Sequence, residues 1–285
     1  MNETIKDIPL NKLNPFPDHP FGVRDDEAMQ QTVESVREYG VLVPAIARPL
    51  EDGSYELISG HRRKRACELA GLSTMPVIVR DIDRDAATVI MVDSNFQREN
   101  ILPSEKAKAY KMKLEAIKRQ GARHDLTSVQ EGQKLDRKTS REKMAENSVD
   151  SATQIQRYIR LTELQPELQQ MVDEGKIGMT PAVELSYLKP TEQKLLIDTI
   201  DSEQATPSLS QAQRMKRLSQ EGRLTDDSML GIMMEQKKPE NWNLTLPMDK
   251  IRKYFPRSYT PQRMEETIIK LLDSWMKKRQ RDQQR

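Results

Sequence analysis

The 285-residue chain holds one cysteine and three histidines. Cys67 alone excludes an intramolecular disulfide. His19, His61 and His124 are too scattered to build a Cys/His zinc site around it. Aromatic residues make up 5% of the chain and hydrophobic residues 36%, against 32% charged. That composition argues against one large core and suits small helical domains with much solvated surface. No apolar run approaches the roughly 20 residues that span a bilayer. The start, MNETIKDIPLNKL, lacks the basic-then-apolar order of a signal peptide. The chain therefore reads as soluble and cytoplasmic, with no membrane partner. An excess of one charge sign is also missing: 46 Lys+Arg stand against 44 Asp+Glu, a net of +2. This excludes nucleic-acid binding through bulk positive charge, but not through a local basic face.

The average hides a split. Residues 1–103 carry 12 basic and 17 acidic side chains, net −5, and residues 104–285 carry 34 and 27, net +7. Such asymmetry points to different partners for different parts. The N-terminal part alternates strand and helix signals. Ile5 to Leu13 leads into the proline-rich loop NPFPDHPFG. Asp25 or Asp26 caps a helix with the apolar face Met29, Val33, Val36 and Tyr39, which Gly40 stops. VLVPAIARP and YELIS read as strands joined by the turn EDGS. GHRRKRACELAG reads as a helix between Gly60 and Gly71, MPVIVRDI as a strand, and DAATVIMVDSN as a helix. The order predicts a compact α+β domain over residues 1–102. From Pro103 the pattern is helical. One helix runs to Gly121, a polar linker covers 121–138, and further helices reach residue 236. A mainly helical unit over 237–285 contains Trp242, an NLTLP strand, a helix over Met248–Phe255 and a long last helix from Thr260.

SGHRRKRA, residues 59–66, follows a strand and opens a helix. Glycine lets a ligand approach the backbone, and the first helical N–H groups point outward with the positive end of the helix dipole behind them. Arg62, Arg63, Lys64 and Arg65 add four consecutive cations, of which two can face one ligand. The pattern suits a nucleotide polyphosphate or a nucleic-acid phosphate; the plain alternative is a solvated basic helix start. DSNFQREN, residues 93–100, gathers Asn95, Gln97, Arg98 and Glu99 at a helix end, a set of donors and acceptors suited to phosphate, a base edge or Mg²⁺.

TSREKMAENSVDSATQIQRYIRLTEL, residues 139–164, has the form of a helix-turn-helix. Thr139 or Ser140 caps the first helix, Met144 and Ala145 point inward, and Ser148–Asp150 make the turn. Ser151 caps the second helix, whose buried face holds Ile155, Ile159 and Leu161 or Thr162. A recognition helix reads bases from its N-terminal residues and touches phosphates with flanking basic ones. Thr153, Gln154 and Gln156 are therefore base-edge candidates, with Ser151 at the same helix start. Arg137, Lys138, Arg141 and Arg157 are backbone candidates. An ordinary helical hairpin with a polar face remains the alternative. In the last helix, Met264, Ile268, Leu271, Leu272 and Trp275 form an apolar stripe that suits either a dimer or packing on Trp242, Ile251 and Phe255.

Taken in order, these motifs resemble the ParB family of DNA-partition proteins, including its RepB-like plasmid relatives. The resemblance rests on PLNKLNPFP, VESVREYGVLVPAIARP, SGHRRKRACELAG and SNFQRENILPSEKAKAY, followed by the helix-turn-helix. It runs from Ile8 to about Leu188. It implies a ParB/sulfiredoxin-like α+β domain, an all-α helix-turn-helix domain, and a homodimer on a palindromic double-stranded DNA site. It also implies CTP and Mg²⁺ as ligands, nucleoid association, and a ParA-type ATPase as partner. Carried over by position, Gly60, His61, Arg62 and Arg63 hold phosphates. Asn95, Gln97, Arg98 and Glu99 serve the metal, the phosphates or clamp closure, with Asn95 facing Mg²⁺ through the nucleotide. Two departures bear on turnover. Val43 stands where many members have Gln, and Ser94 where they have Glu, so CTP hydrolysis is in doubt while binding is retained. His61 replaces a frequent acidic residue and removes a repulsive carboxylate. Sulfiredoxin carries a cysteine in a related loop, but its position here is Gly60; Cys67 reads as a small core residue, and redox chemistry is rejected. Two further readings share the architecture: a transcriptional or nucleoid-occlusion regulator, and a nuclease using Asp81, Asp83, Asp85 and Asp93.

Overall fold

A computed structural model describes residues 5–98, 100–127, 144, 148, 150–235, 251–256 and 258–283. The chain forms two compact units, Met1–Glu235 and Gln236–Arg285. In the first, strands β1 (Ile5–Pro9), β2 (Leu13–Asn14), β3 (Ala45–Pro49), β4 (Tyr55–Ser59) and β5 (Thr74–Val79) make one mixed sheet of order β1-β5-β3-β4-β2. β1 pairs antiparallel with β5, placing Ile8 opposite Met75, and β3 pairs parallel with β5, placing Ala45 opposite Val77.

Alternation along the strands sends side chains to opposite faces. Leu57 joins Ala45, Ala47, Met75 and Val77 in a core closed by helices α1 (Glu27–Tyr39) and α2 (His61–Ala70), through Met29, Val33, Val36, Ala66 and Cys67. Ile58 points the other way. It meets Phe16, Phe21, Ala87, Met91 and Val92, so helix α3 (Arg84–Asn95) covers that face. Local signals fix the helix starts. Asp26 accepts the Met29 N–H at the head of α1, and Asp83 accepts the Ala86 N–H at the head of α3.

Helix α4 (Pro103–Thr127) runs through Gly121 instead of ending there. A glycine inside a helix costs only about 1 kcal/mol relative to alanine, which the flanking turns outweigh. Two other expectations are corrected. Tyr39, placed on the buried face of α1, is 62% exposed, because it sits in the last turn beyond the reach of the sheet. The strand expected from Val41 begins only at Ala45, leaving Leu42 and Val43 exposed; Pro44 has no N–H to offer a ladder.

Beyond α4 come α5 (Ala152–Arg160), α6 (Pro166–Asp173), α7 (Met179–Leu185), α8 (Pro190–Glu203), α9 (Leu209–Gln220) and α10 (Asp226–Met234). They share a core of Leu161, Leu168, Leu185, Leu196, Met215 and Met229. Helix α4 contributes to three cores: Ala109 to the sheet side, Ala107 to the helical core, and Tyr110 and Leu114 to a cluster with Met144 and Ile155. At its head, the Ser104 N–H and hydroxyl both donate to Asp173, at 2.9 and 2.5 Å, while Glu105 accepts the Gly22 N–H at 2.8 Å.

In the second unit, a 3-10 turn (Arg252–Tyr254) precedes helix α11 (Pro261–Gln283). Of the expected helix over Met248–Phe255, Ile251 is α-helical and runs into that turn; residues 248–250, Trp242 and the NLTLP strand lie outside the described residues. Met264 is buried, whereas Ile269, Leu271, Leu272, Trp275 and Met276 are all more than half exposed.

Candidate functional site

The loop between β4 and α2 puts Gly60 at φ 107°, in the left-handed region. A Cβ there would stand 2.8 Å from the Ala45 Cβ, so both the backbone angle and the space demand glycine. The first intrahelical bond runs from the Lys64 N–H to the Gly60 carbonyl. The N–H groups of His61, Arg62 and Arg63 therefore have no intrahelical partner and open on a cleft of about 190 Å³. That cleft is bounded by His19, Phe21 and Val23 from the proline-rich loop, by residues 59–63, and by Ser94, Asn95 and Arg98 from the end of α3. The two distant motifs, Gly60–Arg63 and Asn95–Arg98, thus meet.

Not every expected residue joins them. Gln97 lines a separate cavity with Asp93, Phe96, Lys106, Tyr110, Ser148 and Asp150. Glu99 lies outside the described residues. Of the four cations, Arg62 and Arg63 border the cleft, and each has a partner. Arg62 pairs with Asp26 at 3.1 Å, and Arg63 donates to the Val43 and Pro44 carbonyls. Lys64 turns away to the Leu13 carbonyl and Arg65 to Asp25. Asn95 donates its amide N–H to the Met91 carbonyl, which leaves Oδ1 as a neutral acceptor. Ser94 also donates to Met91.

His19 is a cleft residue that sequence reasoning missed; a histidine beside two prolines carries no recognisable motif. Its ring stands 3.9 Å from that of His61. Burial lowers the pKa of both imidazoles, with His61 pushed down to about 3 and the nearby His19 and Lys64 adding to its shift. Both are therefore neutral at pH 7, and the cleft draws its positive potential from arginine and from helix N–H groups. Cys67 is buried in the sheet core, and burial pushes its thiol pKa up.

The second candidate surface is α5. Ser151 caps it by accepting the Gln154 N–H at 3.2 Å, and Ile155 is buried beneath it. Thr153 is exposed and Gln154 half-buried. Gln156 instead places Oε1 in the interior, with no hydrogen-bond partner among the described residues. Arg157 donates to Thr180 Oγ1 at 2.7 Å, which ties α5 to α7. Arg160 donates to the Ser186 hydroxyl and carbonyl and stacks over Tyr187 at 4.1 Å. Arg137, Lys138, Arg141 and most of the first helix of the motif lie outside the described residues; Met144 is buried, as expected. The four aspartates of the nuclease reading do not converge as a set. Asp83 caps α3, Asp85 pairs with Arg119 and Asp93 with Lys113. Among the described residues, no group of three or more His, Cys, Asp or Glu could hold a metal ion.

An α+β domain with a cleft bordered by arginines and free helix N–H groups, joined by one long helix to a helical domain with a capped polar helix, defines a two-module architecture. The ParB N-terminal domain family model matches residues 1–96, and the ParB HTH domain model matches residues 124–218. The chain belongs to the ParB family. Stage 0 sporulation protein J of Bacillus subtilis is 32% identical over 215 residues, which cover 73% of this chain and 69% of the relative. A nucleoid occlusion protein of a Geobacillus species is 30% identical, covering 70% of this chain and 65% of the relative. Among solved structures, C-terminally truncated ParB of Caulobacter crescentus complexed to the centromeric parS site is 24% identical, with a TM-score of 0.45, covering 74% of this chain and 98% of that one. Among the described residues, no helix is long and apolar enough to cross a membrane.

Proposed function

We propose that the chain is a DNA-binding partition protein whose N-terminal domain binds CTP and whose helix-turn-helix reads a palindromic site as a homodimer. The observation that carries this reading is the meeting of Gly60–Arg63 with Asn95 and Arg98 at one cleft, in a chain that joins a ParB N-terminal domain to a ParB HTH domain. Phosphate oxygens would take the N–H groups at the start of α2, with Arg62 and Arg98 supplying charge. Asn95 Oδ1 offers one neutral oxygen, so Mg²⁺ would be held chiefly by the phosphates and water, as suits an ion that keeps several waters. Exposed Val43 cannot orient a water, and Ser94 brings no charge; binding without efficient turnover fits these residues.

On DNA, Thr153 and Gln154 serve as base-edge residues and Arg157 as a phosphate contact. The exposed stripe of α11 supports dimerisation. Nucleoid association and a ParA-type ATPase partner follow the same reading. A second reading, a nucleoid-occlusion or transcriptional regulator, is favoured by the likeness to nucleoid occlusion proteins.

Calorimetry tests the cleft: Mg²⁺-dependent CTP binding is expected, weakened at least tenfold in Arg62→Ala, and no affinity with or without DNA removes the reading. Nucleotide-dependent footprinting across the host genome separates the roles. A few clustered sites indicate partition, and scattered promoter sites indicate regulation.

A further inference from the structure

The two imidazoles at the cleft are not equivalent. His61 Nε2 accepts the Phe16 backbone N–H at 3.3 Å, so its lone pair is engaged and its proton sits on Nδ1. His19 Nδ1 donates to the Phe21 carbonyl at 2.8 Å, which fixes the opposite tautomer and leaves the lone pair on Nε2. That nitrogen is buried and has no hydrogen-bond partner among the described residues. Protonating His61 at Nε2 would break a bond; protonating His19 at Nε2 breaks none.

We propose that His19 is the proton-accepting residue of the cleft: the polyphosphate of a nucleotide binds together with one proton, taken onto His19 Nε2 as ligand entry uncovers that nitrogen, which then donates to a ligand oxygen. The inference rests on the nucleotide reading of the cleft. The charged and titratable groups facing His19 are His61, Arg62 and Arg63 of α2, Arg98 beyond α3, and Glu105 of α4. Without ligand, burial and then Arg98 disfavour the imidazolium, against the Phe21 carbonyl and Glu105. A polyphosphate places several negative charges beside the same ring, and its attraction reverses that balance. The sign follows from linkage. His19 has a higher pKa with ligand than without, so the added affinity is full below the free-state pKa and is lost as pH rises through the bound-state pKa.

The test is calorimetry of the full chain with CTP and Mg²⁺ at pH 6 to 8, in buffers of different ionisation enthalpy. Wild type is expected to take up as much as one proton more than His19→Gln, and its affinity to fall by up to tenfold per pH unit relative to the variant. Comparing the two proteins cancels the titration of the nucleotide's own phosphates. Histidine NMR on wild type, which needs no variant, should show the His19 pKa rising by at least one unit on binding. Equal proton uptake in both proteins, or a His19 titration that CTP does not move, overturns the inference and leaves the nucleotide reading intact. Wild type that binds no CTP at any pH overturns the nucleotide reading, and this inference with it.

Discussion

The Phe96 ring stands 4.5 Å from the Tyr110 ring, tilted by 50°. Phe96 follows the last turn of α3 and Tyr110 lies in α4, so this contact joins the cleft domain to the helical domain. The row continues on both sides, to Phe21 at 6.2 Å and to Tyr158 of α5 at 5.9 Å. Phe96→Ala should cost about 2 kcal/mol, below the fully buried range because the ring is half-buried. Phe96→Leu should cost about 1 kcal/mol, the part that depends on ring against ring. Urea unfolding measures both, and a Phe96→Leu loss near zero would show that the stacking adds nothing.

Two glycines should respond oppositely to alanine. At Gly60 the new Cβ meets Ala45 at a positive φ, so Gly60→Ala should destabilise by about 1–3 kcal/mol. It should also weaken CTP binding more than tenfold. At Gly121 a Cβ meets nothing, and Gly121→Ala should stabilise by about 0.5–1 kcal/mol. Thermal unfolding of the two variants gives the signs directly.

His61 should shape stability in acid. Its pKa falls from 6.5 to about 3 on folding, so between those values the unfolded chain binds the extra proton. Stability is then full above pH 6.5 and is lost as pH falls toward 3, by up to about 1.4 kcal/mol per pH unit. His61→Asn should flatten the unfolding profile between pH 4 and 6. A profile as steep as wild type would assign the loss to other groups.

On DNA, phosphate and base contacts separate by salt. Arg157→Ala should reduce the slope of log affinity against log salt by about 0.9. Thr153→Ala should leave that slope unchanged and lower the preference for the specific site. Fluorescence anisotropy at several salt concentrations, on specific and random duplexes, distinguishes the two.

The α11 stripe predicts association. Wild type is expected to sediment as a dimer, and Leu272→Asp together with Trp275→Asp as a monomer without unfolding of the first unit, because both side chains are more than half exposed in the single chain. A wild-type monomer at high concentration would remove α11 from the assembly.

The sequence made the α+β order legible because each helix there carries its own start and the first two their own stop: Asp26 and Gly40, Gly60 and Gly71, and Asp83 before α3. The expected anion loop was legible for the same reason. What pattern could not supply was direction. Asn95 and Arg98 turn to the cleft, while Gln97 between them faces a different cavity. Four adjacent cations looked alike, yet Lys64 and Arg65 are drawn off by Leu13 and Asp25, partners 51 and 40 residues away. Tyr39 and Leu42 show the same limit: apolar character alone did not place them in a core. His19 enters the cleft only because the fold returns a loop to it.

Because α4 lends side chains to three cores, the first unit has no seam at the junction of its two modules. Opening any one core disturbs a helix on which the other two depend. The amides of its central turns, around Ala107 to Leu114, should therefore exchange with deuterium only through unfolding of the whole first unit. Proteases should find no cut near residue 102 that releases a stable fragment on either side.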